Sequence, residues 1–253
     1  MREFVETKER ELGLTGPVKA LAMLVIVLNH ACALYTGVWF GVPATPCPPL
    51  GVFVQWLATI HVPLFLLVSG YIWAYLKMET AKYDDTRAVL KKKAKRLLVP
   101  YLFVGVVWAG PVYCLFYGPA STVEAFVFGD NPSQLWFLLA LFWMFALAEL
   151  MWRARPSLLR RWQLLLTSAV TAYVFARVVY ALPLDLFQAA RALDYFPCFL
   201  FGVWLRRVDT SRFWRINPSL LLMADVMLFA AWFVCNASGG VLSGRHRRSC
   251  CSS

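Results

Sequence analysis

Residues 17–36, PVKALAMLVIVLNHACALYT, form an almost uninterrupted apolar segment and indicate the fold class of the chain. An apolar stretch of about 20 residues is long enough to cross the hydrocarbon core of a bilayer as one helix. Lys19 and His30 are its basic residues. Because ionisable side chains inside a membrane are costly and rare, both are candidate functional residues.

The composition of the whole chain extends this prediction. The 253 residues are 60% hydrophobic and only 15% charged, with a mean hydropathy of +0.60. A soluble domain would carry about 25% charged residues. Together with 17–36, six further apolar runs predict an all-α, polytopic transmembrane helix bundle of about seven spans; these runs are 51–76, 97–117, 134–152, 162–182, 189–205 and 219–236.

The basic residues alternate between loops and predict the orientation. Segment 77–96 carries eight Lys and Arg residues, whereas 37–50 and 118–133 carry none. Positive loops favour the cytosolic side, so we expect a cytosolic N-terminus and a multi-pass protein of the plasma membrane. The predicted organisation is a cytosolic arm (1–16), a transmembrane domain (17–236) and a polar tail (237–253) that is disordered or altered.

The net charge and the cysteine spacing argue against a nucleic-acid partner and a metal site. The net charge is +11, but membrane topology already explains where the basic residues lie, so we predict no nucleic-acid partner. The seven cysteines show no CxxC or Cys/His spacing, and we predict no metal. Membrane lipids are expected partners, with anionic headgroups contacting the second basic loop, 77–96.

Lys19 and His30 are separated by eleven positions, about three helical turns, so they share a helix face roughly 16 Å apart along the axis. That arrangement suits a long substrate with an anionic head and a reactive far end, such as a coenzyme A thioester. A simpler interpretation makes Lys19 a snorkelling anchor and His30 a hydrogen-bonded packing residue.

Two further segments supply candidate groups. His61 is predicted at a depth similar to that of His30, where a neutral imidazole could act as a general base; the alternative is a satisfied core histidine. Lys91–Arg96 is predicted as a cytosolic basic loop and a phosphate site, with Pro100 in the first turn of the next helix. Ser69 lacks the G-x-S-x-G pattern of a nucleophile and could bond to its own helix backbone.

Five segments together resemble the membrane acyltransferase-3 family. They are Lys19–His30 (KALAMLVIVLNH), His61–Tyr71 (HVPLFLLVSGY), Lys95–Tyr101 (KRLLVPY), Leu135–Leu138 (LWFL) and Tyr195–Gly202 (YFPCFLFG). The His-x-Pro-Leu-Phe form of the second segment is similar to the fucose and enterobacterial-antigen acetylase subgroup.

The resemblance implies an integral-membrane O-acyltransferase. Its donor would be acetyl-CoA or another acyl-CoA, and its acceptor a hydroxyl of a sugar, cell-envelope glycan or metabolite. His30 and His61 are the implied catalytic candidates, and the implied donor contacts are Lys19, Arg96, Tyr101, Ser69 and Trp136. Family members have about ten spans, so this chain is expected to be C-terminally truncated. A transporter or flippase component and an inactive family member are the alternatives.

Overall fold

The computed structural model describes residues 2–32, 35, 47–80, 82–127, 135–181, 186–208, 219, 223, 226–228 and 230. None of these residues lies in a β-strand, which confirms the all-helical class. The helices are α1 (Arg2–Ala31), α2 (Pro48–Met78), α3 (Thr86–Val104), α4 (Gly110–Tyr117), α5 (Pro119–Val127), α6 (Trp136–Ala154), α7 (Ser157–Arg160), α8 (Trp162–Ala181) and α9 (Ala189–Arg207). A π-helical turn, Gly105–Ala109, joins α3 to α4, and a 3₁₀ turn, Leu186–Gln188, precedes α9.

The segment Lys91–Arg96 is helical, and its predicted loop conformation is wrong. Asp85 caps α3, because the backbone N–H of Arg87 donates to Oδ1 of Asp85 at 2.8 Å. Lys, Arg and Ala are good helix formers, so the helix continues from Thr86 through the basic segment. Pro100 consequently lies inside α3 and not in the first turn of a helix.

Five helices in the described part of the chain are long and apolar enough to cross a membrane. They are Val5–Ala31, Val52–Met78, Thr86–Leu115, Trp136–Ala154 and Trp162–Val179, which correspond to the first five predicted spans. The sixth prediction coincides with α9, but this helix is more charged, with Arg191 and Asp194 near its start and Arg206 and Arg207 in its last turn. The predicted seventh span and the tail fall outside the described residues, isolated positions excepted.

The chain divides into two compact units. One comprises Met1–Thr7, Ile26–Thr59 and Asp209–Ser253, and the other comprises Lys8–Val25 and Ile60–Val208. In the first unit, Nδ2 of Asn29 donates to the carbonyl oxygen of Val54 at 3.2 Å, which ties the end of α1 to α2.

The second unit contains the main hydrophobic core. There α6 packs against α3 and α9, and α9 packs against α8. Trp73, Met144 and Phe199 are among its largest fully buried side chains.

Two glycines allow α2 and α9 to cross closely within that unit. A Cβ atom on Gly70 would overlap the carbonyl oxygen of Phe199, and one on Gly202 would overlap that of Leu67. The Ser-Gly ending of the second sequence motif therefore has a packing reason, since small residues let membrane helices approach backbone to backbone.

Candidate functional site

Lys93 lies on the buried face of α3. Val89, Leu97 and Tyr101 are 5%, 8% and 8% exposed, and with Lys93 they form a row at intervals of four residues. Residues four apart share one face of an α-helix, so the lysine stem points toward the neighbouring helices. Its Nζ atom stands 3.7 Å from the ring centroid of Phe145 on α6.

Two more cations, Lys19 and Arg96, interact electrostatically with Lys93. Nζ of Lys19 lies 5.5 Å from the ring centroid of Phe65, and its charge acts on Lys93. Arg96, one turn after Lys93, interacts electrostatically with both lysines. We call Lys19, Lys93 and Arg96 the cation cluster. The two lysines lie over aromatic rings, and the three like charges repel one another, so an anion placed among them would be favoured.

A buried carboxylate on α6 fixes the start of α3. Glu149 on α6 is fully buried and accepts hydrogen bonds from Nε1 of Trp73 at 2.8 Å, Nζ of Lys77 at 2.7 Å and Oγ1 of Thr86 at 2.9 Å. The same Nζ of Lys77 donates to the carbonyl oxygen of Tyr83. The end of α2, the start of α3 and the segment between them are thus fixed to α6.

Tyr83 connects this support to the cation cluster. Its ring centroid lies 5.5 Å from Nζ of Lys93. Burial raises the pKa of the Tyr83 hydroxyl above its usual value, an effect that the charge of Arg96 opposes and that of Glu149 reinforces. The phenol therefore stays neutral at physiological pH and can donate a hydrogen bond to an anion.

A second polar network joins α1, α2 and α9. Arg206 binds Glu79 through two hydrogen bonds of 2.6 and 2.5 Å and donates to the hydroxyl of Tyr71 at 2.9 Å. Tyr71 donates to Glu11 at 2.7 Å, and Glu11 pairs with Lys8 at 3.0 Å. Burial opposes the charge of Arg206, yet the bonds to Glu79 and Tyr71 raise its pKa further, so it stays cationic. This network holds helices together.

The predicted donor contacts separate into those within the cation cluster and those outside it. Lys19 and Arg96 interact electrostatically within the cation cluster, and their role as donor contacts remains a prediction. Ser69 is buried and donates to the carbonyl oxygen of Phe65 at 2.8 Å, which confirms the expected bond to its own helix. Tyr101 packs in a small apolar cluster with Leu135 and Leu139.

Trp136 lies at the start of α6 among other aromatic and cationic groups. The guanidinium carbon of Arg191 is 4.9 Å from its ring, and the ring of Tyr195 is 5.8 Å away, centroid to centroid. Phe137 connects this group to the cation cluster, because its ring contacts Phe65 at 5.2 Å. The roles proposed for Trp136, Ser69 and Tyr101 remain predictions.

The two candidate histidines belong to different units. His61 is 7% exposed and lies in the second unit, on α2. His30 is partly exposed and lies in the last turn of α1, in the first unit, next to Asn29. Their catalytic roles also remain predictions. Among the described residues, no three His, Cys, Asp or Glu side chains come together in a way that could hold a metal ion.

The sequence analysis did not distinguish the inward position of Lys93 and did not predict the pairing of Lys77 with Glu149. The signal for Lys93 was present, since it is four residues from both Val89 and Leu97 once the segment is taken as helical. The Lys77–Glu149 pair had no such signal, because its members are 72 residues apart.

Comparison with known proteins gives a match at the level of the family. A family model described as an acyltransferase domain, Acyl_transf_3, matches residues 18–246. No curated protein matches the chain. No solved structure matches it either.

Proposed function

Because the chain belongs to the acyltransferase-3 family, we propose that it is an integral-membrane O-acyltransferase. It moves an acyl group, with acetyl as the preferred one, from acyl-CoA to a hydroxyl of a sugar, a cell-envelope glycan or a metabolite. The observation that carries this proposal is the cation cluster of Lys19, Lys93 and Arg96 within a helical, apolar chain. An acyl-CoA donor carries phosphates, and clustered Lys and Arg side chains are the groups that bind phosphate.

The cation cluster would take the phosphate end of the donor. Its aromatic neighbours exclude water from one side of the lysines, and charge attraction is stronger where water is excluded. Phe65 and Phe145 hold the two ammonium groups in place before the donor arrives. Such preorganisation lowers the cost of binding, because fewer flexible side chains must be ordered.

The transfer step needs one general base. His30 would take the proton from the acceptor hydroxyl as its oxygen attacks the thioester carbonyl. The tetrahedral intermediate then collapses, the carbon–sulfur bond breaks, and the imidazolium returns the proton to the leaving thiolate. The products are an O-acyl ester and free coenzyme A. His61, the second catalytic candidate, sits on the helix that presents Phe65 to Lys19.

The donor would enter from the cytosol. The basic segment 77–96 contains two members of the cation cluster, Lys93 and Arg96. Basic segments favour the cytosolic face, which supports a cytosolic N-terminus and a multi-pass arrangement in the plasma membrane. Segment His61–Phe65, HVPLF, supports placement in the fucose and enterobacterial-antigen acetylase subgroup.

The test measures thiol release from acetyl-CoA by membranes that contain the full chain, with and without candidate glycans. His30→Ala should abolish release while the protein still inserts. Lys93→Gln and Lys19→Gln should each raise the donor KM about tenfold or more, since each removes one charge-assisted contact. Arg155→Gln is the matched control, because Arg155 is an exposed cation just after α6.

Two results would contradict the proposal. Full activity of the His30→Ala variant would remove the proposed base. Solute flux across vesicles without any release of coenzyme A would favour a transporter instead.

A further inference from the structure

The outward face of α3 carries a row of cations separate from the cation cluster. Arg87, Lys91 and Lys95 are all exposed and recur every four residues, on the side of the helix opposite Lys93. At 1.5 Å per residue the row is about 12 Å long. We call these three residues the outer basic row.

The same face becomes apolar immediately after the outer basic row. Val99, Leu102, Phe103 and Val106 are 57%, 57%, 65% and 70% exposed. Within a helix that is long and apolar enough to cross a membrane, such large exposed side chains are suited to hydrocarbon. The change from cations to hydrocarbon-facing residues occurs within one turn, between Lys95 and Val99.

That change of character locates the membrane surface along α3. If Val99 and the residues after it meet acyl chains, the outer basic row lies one to three turns farther out, at headgroup level. There a lysine or arginine is attracted to negatively charged headgroups. Helix α3 contains no acidic residue that could offset this charge, and the nearest acidic residue in sequence, Asp85, accepts a hydrogen bond from the helix N-terminus.

We infer that the outer basic row of α3 is a binding surface for anionic phospholipid headgroups. A sequence of cations followed by exposed apolar residues on one face matches the two parts of a phospholipid, a charged head and its acyl chains. The inference is independent of the proposed acyl transfer, since it uses the opposite face of α3 and needs only the membrane location of the helix.

The experiment measures lipid binding to the purified full chain in detergent by native mass spectrometry. Phosphatidylglycerol is titrated against phosphatidylcholine with the same acyl chains. The test variant is Arg87→Gln/Lys91→Gln/Lys95→Gln, and the control variant is Arg153→Gln/Arg155→Gln/Arg161→Gln, which removes three exposed cations elsewhere. Circular dichroism and thermal unfolding check that both variants fold.

The wild-type chain should bind phosphatidylglycerol in preference to phosphatidylcholine. One surface cation changes affinity for an anionic membrane about fivefold, so the test variant should bind phosphatidylglycerol roughly a hundredfold more weakly. Equal losses in the two triple variants would overturn the inference, because net charge alone would then explain binding. Equally strong binding of glycerol phosphate without acyl chains would also overturn it.

Discussion

Substituting either residue of the buried pair Lys77–Glu149 should strongly lower the unfolding free energy of the second unit. The two side chains are 2% and 0% exposed, with Nζ and Oε2 2.7 Å apart. Glu149→Gln leaves Lys77 charged and buried, and turns an amide group toward at least one of the donors Trp73 and Thr86. Removing one partner of a buried ion pair costs about 3–5 kcal/mol of unfolding free energy, and we expect a loss of that size.

The assay is reversible unfolding in mixed micelles by sodium dodecyl sulfate, followed by tryptophan fluorescence. Lys77→Met should cost a similar amount, whereas Lys77→Met/Glu149→Gln should cost less than the sum by about 2–3 kcal/mol, because neither charge is then left alone. Lys82→Gln is the control, since Lys82 is exposed and its loss should change stability by less than about 0.5 kcal/mol. If the loss of unfolding free energy in the double variant equalled the sum of the losses in the two single variants, the argument that the pair acts as a unit would be refuted.

Two further predictions concern packing and pH. Gly70→Ala should destabilise the second unit by about 1–3 kcal/mol, because the new methyl group meets the backbone of Phe199. Gly16→Ala is the control, since the space around Gly16 is open. Equal unfolding midpoints of the two variants in detergent would contradict the prediction. Because burial raises the pKa of Tyr83 in the folded state, the stability it contributes is complete below its usual value near pH 10 and is lost as pH rises further. Tyr83→Phe should therefore flatten the fall in unfolding midpoint above about pH 10, and parallel pH profiles for wild type and variant would contradict the prediction.

Apolar run length predicted the helices well, because a membrane leaves the backbone few alternatives to a helix. The described helices α2, α6 and α8 overlap the predicted spans closely. Helix α1 instead begins at Arg2, within the segment 1–16 that was predicted as a separate arm, and Pro17 lies inside it. The boundary of α3 was missed for a physical reason. A run of basic residues indicates a loop by its charge alone, but Lys, Arg and Ala favour helix, and Asp85 supplies a cap.

The candidate site was predictable only where one helix carries its parts. Lys93 and Arg96 lie one turn apart, and the helical spacing from Val89 to Tyr101 shows which lysine lies on the buried face of the helix. The contacts that hold α3 in place cannot be obtained this way. Glu149 meets Lys77 and Thr86 across 72 and 63 residues, and no local pattern records such pairings.

The division of cations on α3 is what joins the two proposals. Topology explains why the segment is basic, but it places no requirement on which side of the helix each charge occupies. In the structure Lys93 faces Phe145 on α6, while Arg87, Lys91 and Lys95 face away. Desolvation and the charges of Lys19 and Arg96 oppose a cation at Lys93, whereas Glu149 and the ring of Phe145 favour it. Both proposals follow from this division: an anion is proposed to bind beside the inward lysine, and anionic headgroups beside the outward row.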